Sequence, residues 1–214
     1  MNGTAENQNL VYTLEGKIYI NLTNMCSNRC VFCIRNVSEE IEGKNLWLSD
    51  ENIQIEDVIK QFEKIVSENP EAKEVVYCGF GEPLIKFDLF CKMSDYIKQN
   101  HSSFTIRVNT NGQANLIHKI NVIPDLIKHA DAVSVSLNGE NKEVYNKISN
   151  PADADNAYQA VKDFIKDCSN SGIKTTATVV SGYKGIPVNI EECKKIANSL
   201  GADFRVREWL PKGY

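Results

Sequence analysis

Polar and apolar positions along the chain follow two periods in turn. Alternation with period two marks six short stretches, 17–22, 73–78, 104–109, 131–137, 174–180 and 203–208, and these are predicted strands. Between them apolar residues recur at helical spacing. Ile55, Val58, Ile59, Phe62, Ile65 and Val66 form one such set, and Leu89, Phe90, Met93, Tyr96 and Ile97 the next. A shorter set holds Ile123, Leu126 and Ile127. Ala157, Val161, Phe164, Ile165 and Cys168 follow, then Ile190, Cys193, Ile196, Ala197 and Leu200, closed by the helix-stopping Gly201. Strands joined by connections long enough for a crossover predict a parallel sheet in an α/β domain. No Gly/Ser-rich or Pro-rich linker interrupts the series, so the expectation is one domain over 11–214 behind a flexible N-terminal segment, 1–10.

The strands also predict which face is wet. In the third, Phe104, Ile106 and Val108 oppose Thr105, Arg107 and Asn109; in the fourth, Val133, Val135 and Leu137 oppose Ser134, Ser136 and Asn138. Ala177 and Val179 oppose Thr176 and Thr178 in the fifth, and Phe204 and Val206 oppose Arg205 and Arg207 in the sixth. A parallel sheet covered on both faces is apolar on both, and a closed barrel is filled with branched apolar side chains. A repeatedly polar face fits a curved, incompletely closed sheet whose inner side holds water or a polar ligand; a sheet with one solvent-facing side is the plainer alternative.

Composition narrows the class. The 214 residues are 42% hydrophobic and 24% charged, which excludes disorder and low-complexity filaments. With 24 Lys and Arg against 28 Asp and Glu, the net charge of −4 gives no electrostatic footprint for duplex nucleic acid. No apolar run approaches the ~20 residues that cross a bilayer, and the opening residues lack a secretory pattern, so the expectation is a cytoplasmic protein with no membrane partner.

Seven cysteines are an odd number, and three of them, Cys26, Cys30 and Cys33, fall within one short loop after the first strand. Reduced thiols with one local cluster suit a metalloprotein better than a disulfide scaffold. Three thiolates at that spacing can each hold one iron of a 4Fe–4S cube and leave the fourth iron open. Structural zinc wants four closed ligands, and the histidines, His101, His118 and His129, are dispersed. Cys91, Cys168 and Cys193 lie on apolar helix faces, where the thiol serves as a small hydrophobe. After the second strand comes Gly79-Phe80-Gly81-Glu82-Pro83, whose glycines permit close backbone approach and whose carboxylate complements an ammonium; as local chemistry it is also a plain turn.

Cys26-x-x-x-Cys30-x-Phe32-Cys33 after a first β strand resembles the radical S-adenosylmethionine superfamily, with Phe32 as the motif's aromatic, and the Gly79–Pro83 segment resembles that superfamily's Gly-Gly-Glu-Pro element. The resemblance implies an α/β fold: a partial, open (β/α)6 barrel of parallel strands. Because the sequence stops at Tyr214, just past the sixth strand, the expected barrel lacks its final helix and any C-terminal domain with further clusters. It implies a 4Fe–4S cluster on Cys26, Cys30 and Cys33, and S-adenosyl-L-methionine whose amino group meets Gly79, Phe80, Gly81 and Glu82. It implies ribose and carboxylate contacts from strand-end residues, here Asn109 with its neighbours Thr110 and Asn111, and Ser136 with Asn138. Arg207, with Arg107 and Arg205, is a candidate for the cofactor carboxylate or an anionic substrate group.

The implied reaction is reductive cleavage of S-adenosylmethionine to a 5′-deoxyadenosyl radical that takes hydrogen from an unidentified, small or nucleoside-like substrate. The electron would come from a low-potential donor of flavodoxin or ferredoxin type. A partner-protein substrate and a non-catalytic zinc module are the alternatives. Asn45-Leu-Trp-Leu48, Arg107-Val-Asn-Thr-Asn-Gly-Gln113 and Phe204-Arg-Val-Arg207 are similar to the TatD-nuclease-associated radical SAM family, which implies a TatD-family hydrolase as partner. The loop 34–52, with Trp47, Glu39, Glu40 and Glu42, is expected to be a lid or a solvated surface loop.

Overall fold

The structure is a computed structural model that describes residues 8–209. A seven-stranded sheet runs in the order β1 (Val11–Leu14), β2 (Lys17–Ile20), β5 (Glu74–Tyr77), β6 (Thr105–Thr110), β7 (Ala132–Ser136), β8 (Lys174–Ser181), β9 (Asp203–Glu208). All neighbours are parallel except β1 and β2. The strands from β2 onward are the six expected from alternation, and β1 and β9 end the sheet among the described residues. Strand order follows chain order with no reversal, so right-handed crossovers put the helices on one face and curve the other inward.

That outer face carries α1 (Ile55–Glu68), α2 (Phe87–Asn100), α4 (Ile123–His129), α6 (Ala157–Asn170) and α7 (Ile190–Ser199). Val75, Ile106, Val108, Val133, Val135, Ala177 and Val179 meet Val58, Phe62, Phe90, Met93, Val161, Phe164 and Ile165 in one core. Each large side chain there contributes about 2–3 kcal/mol by leaving water. Cys168 and Cys193 are buried in it as small hydrophobes, as their spacing predicts, and Cys91 packs at its edge. Two helices escaped the periodicity, α3 (Ala114–His118) and α5 (Lys142–Ser149).

Both unpredicted hairpins turn on Glu-Gly. β1 meets β2 through Glu15 (φ 51°) and Gly16 (φ 72°), and β3 (Glu40–Ile41) meets β4 (Lys44–Asn45) through Glu42 (φ 48°) and Gly43 (φ 73°). Two consecutive left-handed residues give the turn whose twist suits a two-residue hairpin, but Glu is not a usual first residue. Gln8 and Leu10, at the end of the segment expected to be flexible, are buried, and Gln61 Oε1 accepts from Leu10 N at 3.0 Å. Most of that segment, 1–7, lies outside the described residues, as does the end of the expected domain, 210–214.

The polar inner face holds over β6–β9, where register places Asn109, Ser134 and Thr176 in one row and Ser136, Thr178 and Arg205 in the next. It does not extend to β1, β2 and β5. There Tyr12, Tyr19, Leu46, Val76 and Phe80 form a second buried cluster, roofed by the segment bearing β3 and β4.

Candidate functional site

The chain leaves β2 at Asn21 and enters the cysteine loop; the Gly79–Pro83 turn leaves β5, Asn111-Gly112 leaves β6, and Leu137-Asn138 leaves β7. All four connections therefore lie at the carboxyl end of adjacent parallel strands, where open α/β sheets bind ligands. Asn111 Nδ2, at the end of β6, lies 3.8 Å from Cys26 Sγ, so the cysteine loop reaches across the sheet end to meet it.

The glycines close on protein. A Cβ on Gly79 would fall 2.0 Å from Asn21 Oδ1, and one on Gly81 would fall 2.2 Å from Thr23 O and 2.5 Å from Met25 O. Glu82 N donates to Met25 O at 2.8 Å, so the turn is laid against the strand that delivers the cysteines. The Glu82 carboxylate is 3% exposed. Its Oε1 accepts from Leu84 N (3.1 Å) and Thr110 Oγ1 (2.8 Å), and its Oε2 accepts from Asn111 N (2.6 Å). Burial pushes its pKa up to about 7, against three donors that favour the anion. Glu82 thus joins the β5 turn to the end of β6.

Phe80 is turned away from the open face: it is buried in the second cluster, with the Trp47 ring 6.1 Å away. Phe32 sits at the opposite side, edge-on to Tyr183 at 6.5 Å, and Tyr183 in turn meets Trp209 at 5.0 Å. Asn109 accepts from Arg107 Nη1 at 2.6 Å. Arg107 also donates to Glu74 at 2.7 Å, and Glu74 pairs with Lys17 at 2.9 Å. Ser136 and Arg207 are half-buried on the inner face, with Arg207 close enough to Cys78 to favour its thiolate. Asn138 (φ 56°) is 2% exposed and donates to Ser149 Oγ at 3.1 Å, so it lies behind the open surface.

The segment expected to be a lid or a solvated surface loop is anchored. Asn21 Nδ2 donates to Leu46 O (2.8 Å), Asn24 Nδ2 to Leu48 O (2.7 Å), and Leu48 N returns a bond to Asn24 Oδ1 (3.0 Å). Leu46 is fully buried. Arg35, which sequence reasoning passed over, donates from Nη1 to Asn24 O (2.8 Å) and Phe80 O (3.2 Å), joining the cysteine loop to the β5 turn.

All three cysteines are half-buried and free. Burial pushes the Cys26 thiol up to about 11 and Cys30 up to about 12, with Cys33 adding to both. Such a set needs a cationic centre to become thiolate. Among the described residues no three His, Cys, Asp or Glu side chains converge on a single ion. A cube asks for something else, one sulfur at each of three irons, and the donor set fits it. Asn21 Oδ1 is buried beside Gly79 with no hydrogen-bond partner, an acceptor suited to an ammonium.

Comparison with known proteins adds the family. The model of the radical SAM superfamily matches residues 20–200. No curated protein matches the chain. Among solved structures the chain is similar to polyhistidine-tagged anSMEcpe with bound AdoMet, at TM-score 0.67 and 14% identity over 90% of this chain and 50% of that one. It is similar to methylornithine synthase (PylB), at 0.62 and 15% over 92% and 56%. A radical SAM methyltransferase from Sphaerobacter thermophilus gives 0.50 and 14% over 92% and 68%. Identities this low speak for the fold, and the chain spans about half the length of the first two. With the family match running from the last residue of β2 through α7, the chain belongs to the radical SAM superfamily of enzymes.

Proposed function

We propose that Cys26, Cys30 and Cys33 hold a 4Fe–4S cluster with one open iron, and that the inner face binds S-adenosylmethionine and an unidentified small or nucleoside-like substrate. When bound, the cluster supplies the electron that cleaves S-adenosylmethionine to methionine and a hydrogen-abstracting 5′-deoxyadenosyl radical. The chain's own residues bind and orient. Gly79–Glu82 and Asn21 offer acceptors for the methionine ammonium, Asn109 and Ser136 face the ribose, and Arg207 suits a carboxylate. The observation that carries this reading is the gathering of the cysteine loop and three strand-end turns at one end of the sheet, with Asn111 Nδ2 3.8 Å from Cys26 Sγ. The test is anaerobic reconstitution with iron and sulfide, followed by assay for 5′-deoxyadenosine. Wild type is expected to turn brown and cleave S-adenosylmethionine, and Cys30→Ser to do neither. A variant with full iron, sulfide and cleavage would sink the assignment.

The quoted motifs support placing the chain beside the TatD-nuclease-associated family, with a TatD-family hydrolase as partner and a flavodoxin or ferredoxin as electron donor. Seven free thiols suit a reducing, cytoplasmic compartment. A partner-protein substrate is the second reading, favoured by the edge strand β9, where Val206 is 42% exposed. Co-purification with a TatD-family hydrolase, or capture of a substrate protein through β9, checks the two in turn.

A further inference from the structure

The cysteine loop is irregular, yet its contacts are not left to a metal. Asn28, in the middle of the loop, is 2% exposed. Its Oδ1 accepts from Gln113 Nε2 at 2.7 Å, and its Nδ2 donates to the Tyr145 hydroxyl at 3.4 Å. Gln113 Nε2 also donates to that hydroxyl at 2.9 Å. Gln113 and Tyr145 are 1% and 0% exposed.

The main chain repeats the attachment. Arg29 N donates to Ser149 O (3.1 Å) and Asn150 O (3.0 Å), Val31 N to Ile148 O (3.0 Å), and Ala152 N to Ser27 O (2.8 Å). The loop is thereby laid along the C-terminal end of α5 and bridged to Pro151. One of the surrounding side chains also turns a donor toward sulfur. Asn111 Nδ2 lies 3.8 Å from Cys26 Sγ and 2.8 Å from Ser27 Oγ, while Asn111 Oδ1 accepts from Gln113 N at 3.0 Å. The Ser149 hydroxyl, fully buried, accepts from Asn138 Nδ2 at 3.1 Å.

A buried polar network whose members are satisfied by protein groups is rigid, and breaking one member leaves the others desolvated and unpaired. A loop shaped only by its metal would have no such network. We propose that Asn28, Gln113, Tyr145 and Ser149 latch the cysteine loop in its ligand-bearing shape before any cluster is present, and that Asn111 is a positioning residue whose hydrogen bond to the Cys26 sulfur raises the potential of the cluster bound there. Only the second half rests on the proposed cluster. Donors to cluster sulfurs offset the negative charge added on reduction, which sets the sign.

Two arms separate the halves. In the cluster-free full chain, iodoacetamide labelling is read cysteine by cysteine, with buried Cys168 and Cys193 reporting global unfolding. Cys30 is expected to react much more slowly than in urea-unfolded chain, and Asn28→Ala to speed it at least about tenfold, since both buried hydrogen bonds of its side chain are lost, with Cys168 unchanged. Native labelling at the unfolded rate, or no response to Asn28→Ala, overturns the latch. Should Asn28→Ala unfold the whole chain, Tyr145→Phe, which removes one hydroxyl and little volume, decides by the same readout. In the reconstituted protein, redox titration followed by electron paramagnetic resonance is expected to give a more negative midpoint in Asn111→Ala, and an unmoved one in Asn28→Ala. A midpoint unmoved in Asn111→Ala overturns the positioning role. A wild type that forms no cluster sinks the proposed function instead, and the labelling arm still judges the latch.

Discussion

Gly81 and Glu82 show how a motif legible as chemistry is first of all architecture. Gly81 has no side chain because Thr23 O and Met25 O occupy the space a Cβ would need. Gly81→Ala must therefore move backbone, and a loss of about 3 kcal/mol is expected, read as a fall in the urea midpoint. Gly43→Ala, whose Cβ would meet nothing within 4 Å, changes stability only through its positive φ and should cost less. Glu82 carries a pH signature. Its folded pKa is raised from 4.5 to about 7, so the folded state holds the proton more tightly than the unfolded chain. The associated stability is complete below about pH 4.5 and is lost as pH rises through 7. In cluster-free protein, the stability of wild type relative to Glu82→Gln is expected to fall by about 3 kcal/mol across that window. Denaturation at a series of pH values checks it, and a constant difference would mean that Glu82 stays ionised throughout. The expectation that Glu82 meets an ammonium came with the family resemblance of its turn; its three protein donors were hidden because Thr110, Asn111 and Leu84 converge on it from two different strand ends.

Elements with a regular period were visible in the sequence, and elements built on turns were not. The six parallel strands and the longer helices follow from alternation and 3.6-residue spacing. The hairpin of β3 and β4 has two-residue strands, too short for alternation to register. Its consequence is large: with Leu46 behind it, it roofs the inner face over β2 and β5, so the segment read as a possible lid is part of a small second core. Leu46→Ala is expected to cost about 2–4 kcal/mol and lower the thermal midpoint, whereas truncating a residue of a free lid would leave stability unchanged. Calorimetry of the variant distinguishes them. Helix α5 was equally silent, since only Tyr145 and Ile148 of its apolar positions are buried, yet it supplies the C-terminal segment along which the cysteine loop lies.

At the scale of the whole molecule, the open sheet sets both the site and the pattern of stability. β5, β6 and β7 are hydrogen-bonded on both sides, whereas among the described residues β9 is paired only with β8 and carries Val206 at 42% exposure. Hydrogen exchange is expected to be slowest in β5–β7 and faster in β9; equal protection across β9 would point to a partner covering that edge. The sequence by itself determined the parallel α/β class, the polar face of the later strands and the trio of cysteines, because period and local spacing are written in consecutive residues. Only the tertiary structure decided that Phe80 faces a second core, that Asn138 lies behind the site, and that Asn28, Gln113, Tyr145 and Ser149 meet around the cysteine loop. Those contacts join residues tens of positions apart, and which of them touch depends on how the strands are ordered and curved, a property of the assembled sheet that no local stretch encodes.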